Sequence, residues 1–180
     1  MVQYIVLCGT AISVISCFKK DEKTLFDNAE AAANHSQWTE AAAAYRDVVA
    51  SYPDGVHAAI SLFKIGVIEY SQLKDFRAAA ATLETAAGRY PTSSEAPKAL
   101  MTLGFLFANE TAVKNLDSAR KYYGEIVSQY PSDELAGSAQ MEIQYLGEPP
   151  EMELSNAPVF TEKPFHDSLA HAPSAQALAH

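Results

Sequence analysis

The stretch FRAAAATLETAAGRYP, residues 76–91, decides the fold, because its pattern occurs three times along the chain. The other copies are residues 38–53 and 116–131, and the Tyr-Pro pairs that end the three copies are spaced by 38 and 40 residues. In each copy a large apolar residue is followed after three positions by alanine, and after four more by another large apolar residue: Trp38, Ala41 and Tyr45; Phe76, Ala79 and Leu83; Leu116, Ala119 and Tyr123. This spacing is typical of one face of a helix.

The residues after each proline repeat in the same frame. Small residues stand five and eight positions on, and a large aliphatic residue stands twelve positions on: Ala58, Ser61 and Ile65; Ala96, Ala99 and Leu103; Ala136, Ala139 and Ile143. Glycine comes next at Gly66 and Gly104, whereas the last copy has Gln144. Small residues at helical spacing let two helices approach closely, and proline separates one helix pair from the next. Each period therefore predicts an antiparallel helix hairpin.

These motifs resemble the tetratricopeptide repeat. The matching positions are the aliphatic-Gly pair of its first helix, its central alanine and its terminal proline, found here as Ile65-Gly66 and Leu103-Gly104, Ala79 and Ala119, and Pro91 and Pro131. The resemblance covers residues 21–147, although the first copy matches only in its second helix. It implies an all-α, antiparallel helix-hairpin solenoid of about three and a half repeats. A generic helical bundle is the alternative.

The ends and turns of the array can also be predicted. The first helix is expected near residues 24–34, and a seventh helix near residues 133–146 caps the array before the strong stop at Gly147-Glu148-Pro149-Pro150. The periods of 38 and 40 residues exceed the usual length of about 34. We expect the extra residues in the turns after the first helices, notably at residues 109–115.

The N-terminal residues resemble a bacterial lipoprotein signal. Residues 4–15 are apolar but too few to span a bilayer as a helix, and Val14-Ile15-Ser16-Cys17 resembles the lipobox before a lipid-modified cysteine. The resemblance implies a signal peptide at residues 1–16, a lipidated Cys17 and a linker at residues 17–23 before a repeat domain at residues 24–147. No Lys or Arg precedes the apolar run, whereas the start of a signal peptide is normally basic. The alternative is an ordinary signal peptide or a buried N-terminal helix.

A lipid-anchored repeat protein is similar to the outer-membrane assembly lipoproteins that feed the barrel-assembly machine. It is also similar to the repeat domain of the cell-division coordinator associated with the Tol-Pal system. These resemblances imply a non-catalytic adaptor on the outer membrane, facing the periplasm, with a role in outer-membrane protein assembly or envelope maintenance. A cytosolic or inner-membrane-tethered scaffold of the same fold is the alternative.

Composition argues against several function classes. A net charge of -9 repels phosphate backbones, so no nucleic-acid partner is expected. The sequence has no phosphate-binding glycine loop, metalloprotease motif or nucleophile motif, so we predict neither an enzyme nor a cofactor. The tail, residues 148–180, is rich in Pro, Ala, Ser and Glu and is predicted to be disordered. Its histidines are expected to be solvated, with metal capture as the alternative: His166, His171 and His180.

Counting helical steps from Gly66 and Gly104 predicts an apolar face on the inner side of the first helices. The predicted partner-binding residues are Ile60, Phe63, Val67, Tyr70, Met101 and Phe105, with Ala108 beside them. Rigid aromatic side chains on this face would hold an aromatic or aliphatic segment of a client protein. The alternative is that these residues pack between neighbouring repeats or under the C-terminal tail.

Overall fold

The computed structural model describes residues 20–147. Within that range the chain forms seven α-helices and no strand: α1 (Glu22–Asn34), α2 (Trp38–Ser51), α3 (Ala58–Ser71), α4 (Phe76–Arg89), α5 (Glu95–Asn109), α6 (Leu116–Gln129) and α7 (Leu135–Tyr145). Three helix pairs and a last single helix confirm the predicted helix-hairpin solenoid. The predicted signal peptide, Cys17 and the tail at residues 148–180 lie outside the described residues, and the domain boundaries stay predictions.

The turns account for the unequal periods. Four residues join α3 to α4, whereas six join α5 to α6, so the 40-residue period is longer at residues 110–115. Five or six residues also join each helix pair to the next. The side-chain oxygens of Asp75 and Asn115 each accept a hydrogen bond of 3.0 Å from a backbone N–H of the following turn, which caps α4 and α6.

The first helices of the repeats lie on the inner side of the array. Each helix packs against its neighbours in sequence, and in addition α3 contacts α5 and α5 contacts α7. Among the described helices, the second helices α2, α4 and α6 make no comparable contact with one another. Because the first helices approach each other and the second helices diverge, the array curves with α3, α5 and α7 inside.

Two glycines set the distance between the helices of a pair. A Cβ atom added to Gly66 would lie 2.6 Å from Leu83 Cγ, and one added to Gly104 would lie 2.6 Å from Tyr123 Cδ1. Leu83 and Tyr123 are fully buried and occupy the same place in consecutive repeats. The glycines of the repeated motif are therefore the points where a first helix admits the large side chain of its second helix.

The Tyr-Pro pairs form a ladder along one edge of the array. The hydroxyl of Tyr90 donates to the carbonyl oxygen of Pro53 at 2.6 Å, and that of Tyr130 donates to the carbonyl oxygen of Pro91 at 2.8 Å. Each tyrosine thus bonds the proline one repeat earlier. At the start of the ladder the hydroxyl of Tyr52 donates to the carbonyl oxygen of Lys20 at 2.9 Å. Both residues of the pair thus take part in hydrogen bonds between repeats.

Removing one hydroxyl from the ladder tests this role. We expect Tyr90→Phe to lower the free energy of unfolding by about 1 kcal/mol, because one hydrogen bond between repeats is lost while the ring stays in place. Urea denaturation of the purified protein measures the change. Tyr145→Phe is the control, since Tyr145 is 55% exposed and bonds no described residue through its hydroxyl. Equal losses in both variants would contradict the ladder.

The joint between the first two repeats is ionic. Glu69 of α3 is 4% exposed, and its carboxylate accepts hydrogen bonds from Arg46 Nη2 at 2.5 Å and from Thr82 Oγ1 at 2.7 Å. Arg46 lies on α2 and Thr82 on α4, so this single carboxylate connects three helices. At the corresponding place in the next joint stands Phe107, whose ring stacks on that of Tyr122 with 5.6 Å between centroids. The two joints therefore use different chemistry.

Candidate functional site

The predicted partner-binding residues lie on α3 and α5 and differ in exposure. Five of the six are half-buried, and Phe105 is 46% exposed: Ile60, Phe63, Val67, Tyr70 and Met101 form the half-buried group. Phe63, Tyr70 and Met101 also contact the buried core of the second and third repeats. Phe63, Tyr70 and Met101 therefore pack partly between repeats, as the alternative interpretation holds, whereas Phe105 is exposed at the surface.

Two ring contacts and one hydrogen bond hold Tyr70 in place. Its ring meets Phe105 edge to face at 6.5 Å and Phe76 at 5.9 Å between centroids, and its hydroxyl donates to Glu110 Oε1 at 3.1 Å. Burial and the hydrogen bond to Glu110 raise the pKa of Tyr70, so the phenol stays a donor at neutral pH. Tyr70 therefore acts as a fixed wall beside Phe105 and bridges α3 to the end of α5.

The last helix continues the inner face, which sequence reasoning missed. Met141 and Tyr145 stand 40 residues after Met101 and Phe105, and they are 61% and 55% exposed. The 40-residue frame could have identified them, but α7 was interpreted only as a cap. We define the inner stripe as the six residues at these two repeated positions of α3, α5 and α7: Phe63, Val67, Met101, Phe105, Met141 and Tyr145. Exposure along it is greatest towards α7.

A second concave feature lies on the other side of the array, between α4 and α6. This outer cleft has a volume of about 480 Å³, with the buried side chains of Leu100 and Leu103 on its floor. Its walls include Pro91 and Tyr130, which form one rung of the ladder. Polar side chains line the rest: Glu84, Lys121, Tyr122, Glu125 and Gln129.

The outer cleft carries more negative than positive charge. The hydroxyl of Tyr122 donates to Glu84 Oε1, and Lys121 Nζ lies 3.8 Å from Glu125 Oε1 and 5.1 Å from the centroid of the Tyr122 ring. Burial raises the pKa of Tyr122, and the bond to Glu84 and the charges of Glu84 and Glu125 raise it further. The Tyr122 phenol therefore stays protonated between two carboxylates.

Two further properties concern the described part of the chain only. Within residues 20–147, no three His, Cys, Asp or Glu side chains come together in a group that could hold a metal ion. In the same range, every helix is too short or too polar to cross a bilayer.

Comparison with known families gives one match. The model of the family described as the tetratricopeptide repeat matches residues 25–55, 61–93 and 98–133, which together make up more than half of the chain. The three matches begin within α1, α3 and α5, and each continues through the following helix and its Tyr-Pro pair. No curated protein matches the chain.

Proposed function

Because the chain belongs to the tetratricopeptide repeat family, whose repeats bind protein or peptide partners, we propose that it is a lipid-anchored adaptor of the bacterial envelope. The repeats indicate a scaffold for protein–protein interaction. In this proposal Cys17 carries the lipid, the repeat domain faces the periplasm from the outer membrane, and the client belongs to outer-membrane protein assembly or envelope maintenance. A cytosolic or inner-membrane-tethered scaffold is the second candidate.

The inner stripe supports the proposal that the client binds through an apolar segment. Phe105, Met141 and Tyr145 are about half exposed and stand at the repeated positions of α5 and α7. Aromatic residues dominate binding energy at protein interfaces, and methionine adapts its shape to different apolar surfaces. The half-buried Phe63 and Met101 extend this surface towards the middle of the array. An aromatic or aliphatic client segment therefore fits the stripe better than a charged one.

Site-specific photocrosslinking tests the stripe. With a photoreactive phenylalanine at position 105 or 145, we expect covalent adducts with the same client in the bacterium that makes the protein. The control is position 73, because Leu73 is also an exposed apolar residue, at 42%, but lies outside the stripe. Adding Phe105→Glu should abolish the adduct at position 145, and Leu73→Glu should not. Similar adducts at all three positions would argue against the stripe.

The lipid anchor has a separate test. The lipobox-like residues at 14–17 support the anchor. Labelled palmitate should enter the wild-type protein and the Cys8→Ala variant, but not Cys17→Ala. Absence of label from the wild-type protein would favour the second candidate.

A further inference from the structure

The outer cleft exists because α4 carries small residues where it faces α6. Ala87 and Gly88 line the cleft, and a Cβ atom added to Gly88 would meet no other atom within 4 Å. The cleft is thus open space between two second helices, bounded below by the aliphatic floor of Leu100 and Leu103. A volume of about 480 Å³ lies within the usual range of ligand sites.

The polar groups of the outer cleft favour a cation. Glu84 has no ion pair with any described residue, and its contact within the described chain is the hydrogen bond from Tyr122. Glu125 pairs with Lys121 at 3.8 Å, where the lysine side chain is 64% exposed, and such a loose surface pair contributes little. Two carboxylates and one lysine therefore line the cleft, and a net negative charge remains for a partner to neutralise.

The chain's own lysine indicates where a cation is attracted. Lys121 Nζ lies 5.1 Å from the centroid of the Tyr122 ring, within the distance of a cation–π interaction. The Tyr122 ring is fixed by stacking on Phe107 and by the bond to Glu84. Tyr122 is 8% exposed, so little of its ring is open to the cleft, and the carboxylates beside it dominate. Carboxylates suit the planar guanidinium of arginine, which bonds a carboxylate with two N–H groups.

We propose that the outer cleft binds an arginine side chain presented by a polypeptide partner. The aliphatic part of the side chain lies in the cleft beside Gly88 and Pro91, and the guanidinium lies between Glu84 and Glu125. Lys121 moves aside into solvent as the arginine enters. This site lies on the opposite side of the array from the inner stripe, so a partner could hold both faces or two partners could bind at once.

Fluorescence anisotropy with the purified full chain tests the proposal. The probe is the fluorescein-labelled peptide Gly-Ala-Arg-Ala-Gly, which has no large apolar residue for the inner stripe. We expect the same peptide with citrulline, the neutral isostere of arginine, to bind at least about tenfold more weakly, because the charge-assisted bonds are lost. Free n-propylguanidine, a single cation with the length of the arginine side chain, serves as the third ligand and should bind more weakly than the arginine peptide, since it lacks the peptide backbone.

Four variants locate the binding. Glu84→Gln should weaken the arginine peptide about tenfold while keeping the fold, because a glutamine oxygen still accepts the Tyr122 hydroxyl. Gly88→Leu should abolish binding by filling the cleft, and Lys121→Ala should strengthen it by removing the competing cation. Phe105→Glu, on the inner stripe, should leave it unchanged.

Several outcomes would overturn the proposal. These are equal affinity for the arginine and citrulline peptides, no effect of Glu84→Gln, or no binding at millimolar peptide. Propylguanidine binding as tightly as the peptide would mean that the cleft serves a small cation and no polypeptide. Loss of binding in Phe105→Glu alone would place the peptide on the inner stripe.

Discussion

Gly104→Ala is expected to lower the free energy of unfolding by about 2–3 kcal/mol, although alanine is the better helix former. The new Cβ atom would lie 2.6 Å from Tyr123 Cδ1, and the Tyr123 ring is fully buried and cannot turn away. Helices α5 and α6 must therefore separate, and the loss of packing exceeds the gain in helix propensity. Urea or guanidinium denaturation measures the change. Gly66→Ala should have a smaller effect, because Leu83 can change its rotamer more easily than a tyrosine ring can move.

Gly124→Ala is the matched control for Gly104→Ala. Gly124 lies inside α6, directly after Tyr123, and a Cβ atom there would meet no other atom within 4 Å. We expect this substitution to raise the free energy of unfolding by about 0.5–1 kcal/mol, since only the helix propensity changes. The same substitution is thus expected to lower the free energy of unfolding at position 104 and to raise it at position 124. A loss of similar size at both positions would contradict the close approach at Gly104.

The ionic joint gives the second large effect. Arg46→Met is expected to lower the free energy of unfolding by about 2–3 kcal/mol, because it leaves the carboxylate of Glu69 buried without its cation. The Glu69 side chain is only 5% exposed, whereas that of Arg46 is 54% exposed. Most of the loss therefore comes from the unpaired carboxylate and little from the arginine itself.

A double variant separates these contributions. In Arg46→Met/Glu69→Leu no buried charge remains, and we expect the combined loss to be less than half of the loss in Arg46→Met alone. Denaturation of the wild-type, single and double variants completes the cycle. If the losses of unfolding free energy in the two single variants add up to the loss in the double variant, Arg46 and Glu69 are not coupled.

The fold was predictable because the decisive residues repeat. The Tyr-Pro pairs fixed the frame, and every helix could then be placed by its distance from a proline. The frame also predicted the buried alanines and the two glycines. A position where a neighbouring helix packs closely in one repeat must allow the same close packing in the next. Because the same spacing occurs three times, a single departure such as Gln144 in place of glycine did not change the predicted fold.

The candidate sites were only partly predictable, because they depend on residues that differ from one repeat to the next. Tyr70 is held by Glu110, which belongs to the longer turn of the third repeat. Glu69 occupies the place of Phe107, and one acid in an apolar helix gives no periodic signal. The outer cleft depends on empty space beside Gly88 and on the distance between two helices that are far apart in sequence. Such features follow from packing and are not visible in spacing.

The Tyr-Pro ladder and the two joints together bear on how such an array can evolve. Every rung joins the same two groups, a hydroxyl and a carbonyl, so a duplicated repeat could be inserted anywhere without breaking the ladder. The joints are not interchangeable, because Arg46 requires the acid at Glu69 and would meet an aromatic ring in the next repeat. A duplicated repeat would therefore keep the ladder intact, whereas exchanging the repeats would leave Arg46 facing an aromatic ring and Glu69 without its cation.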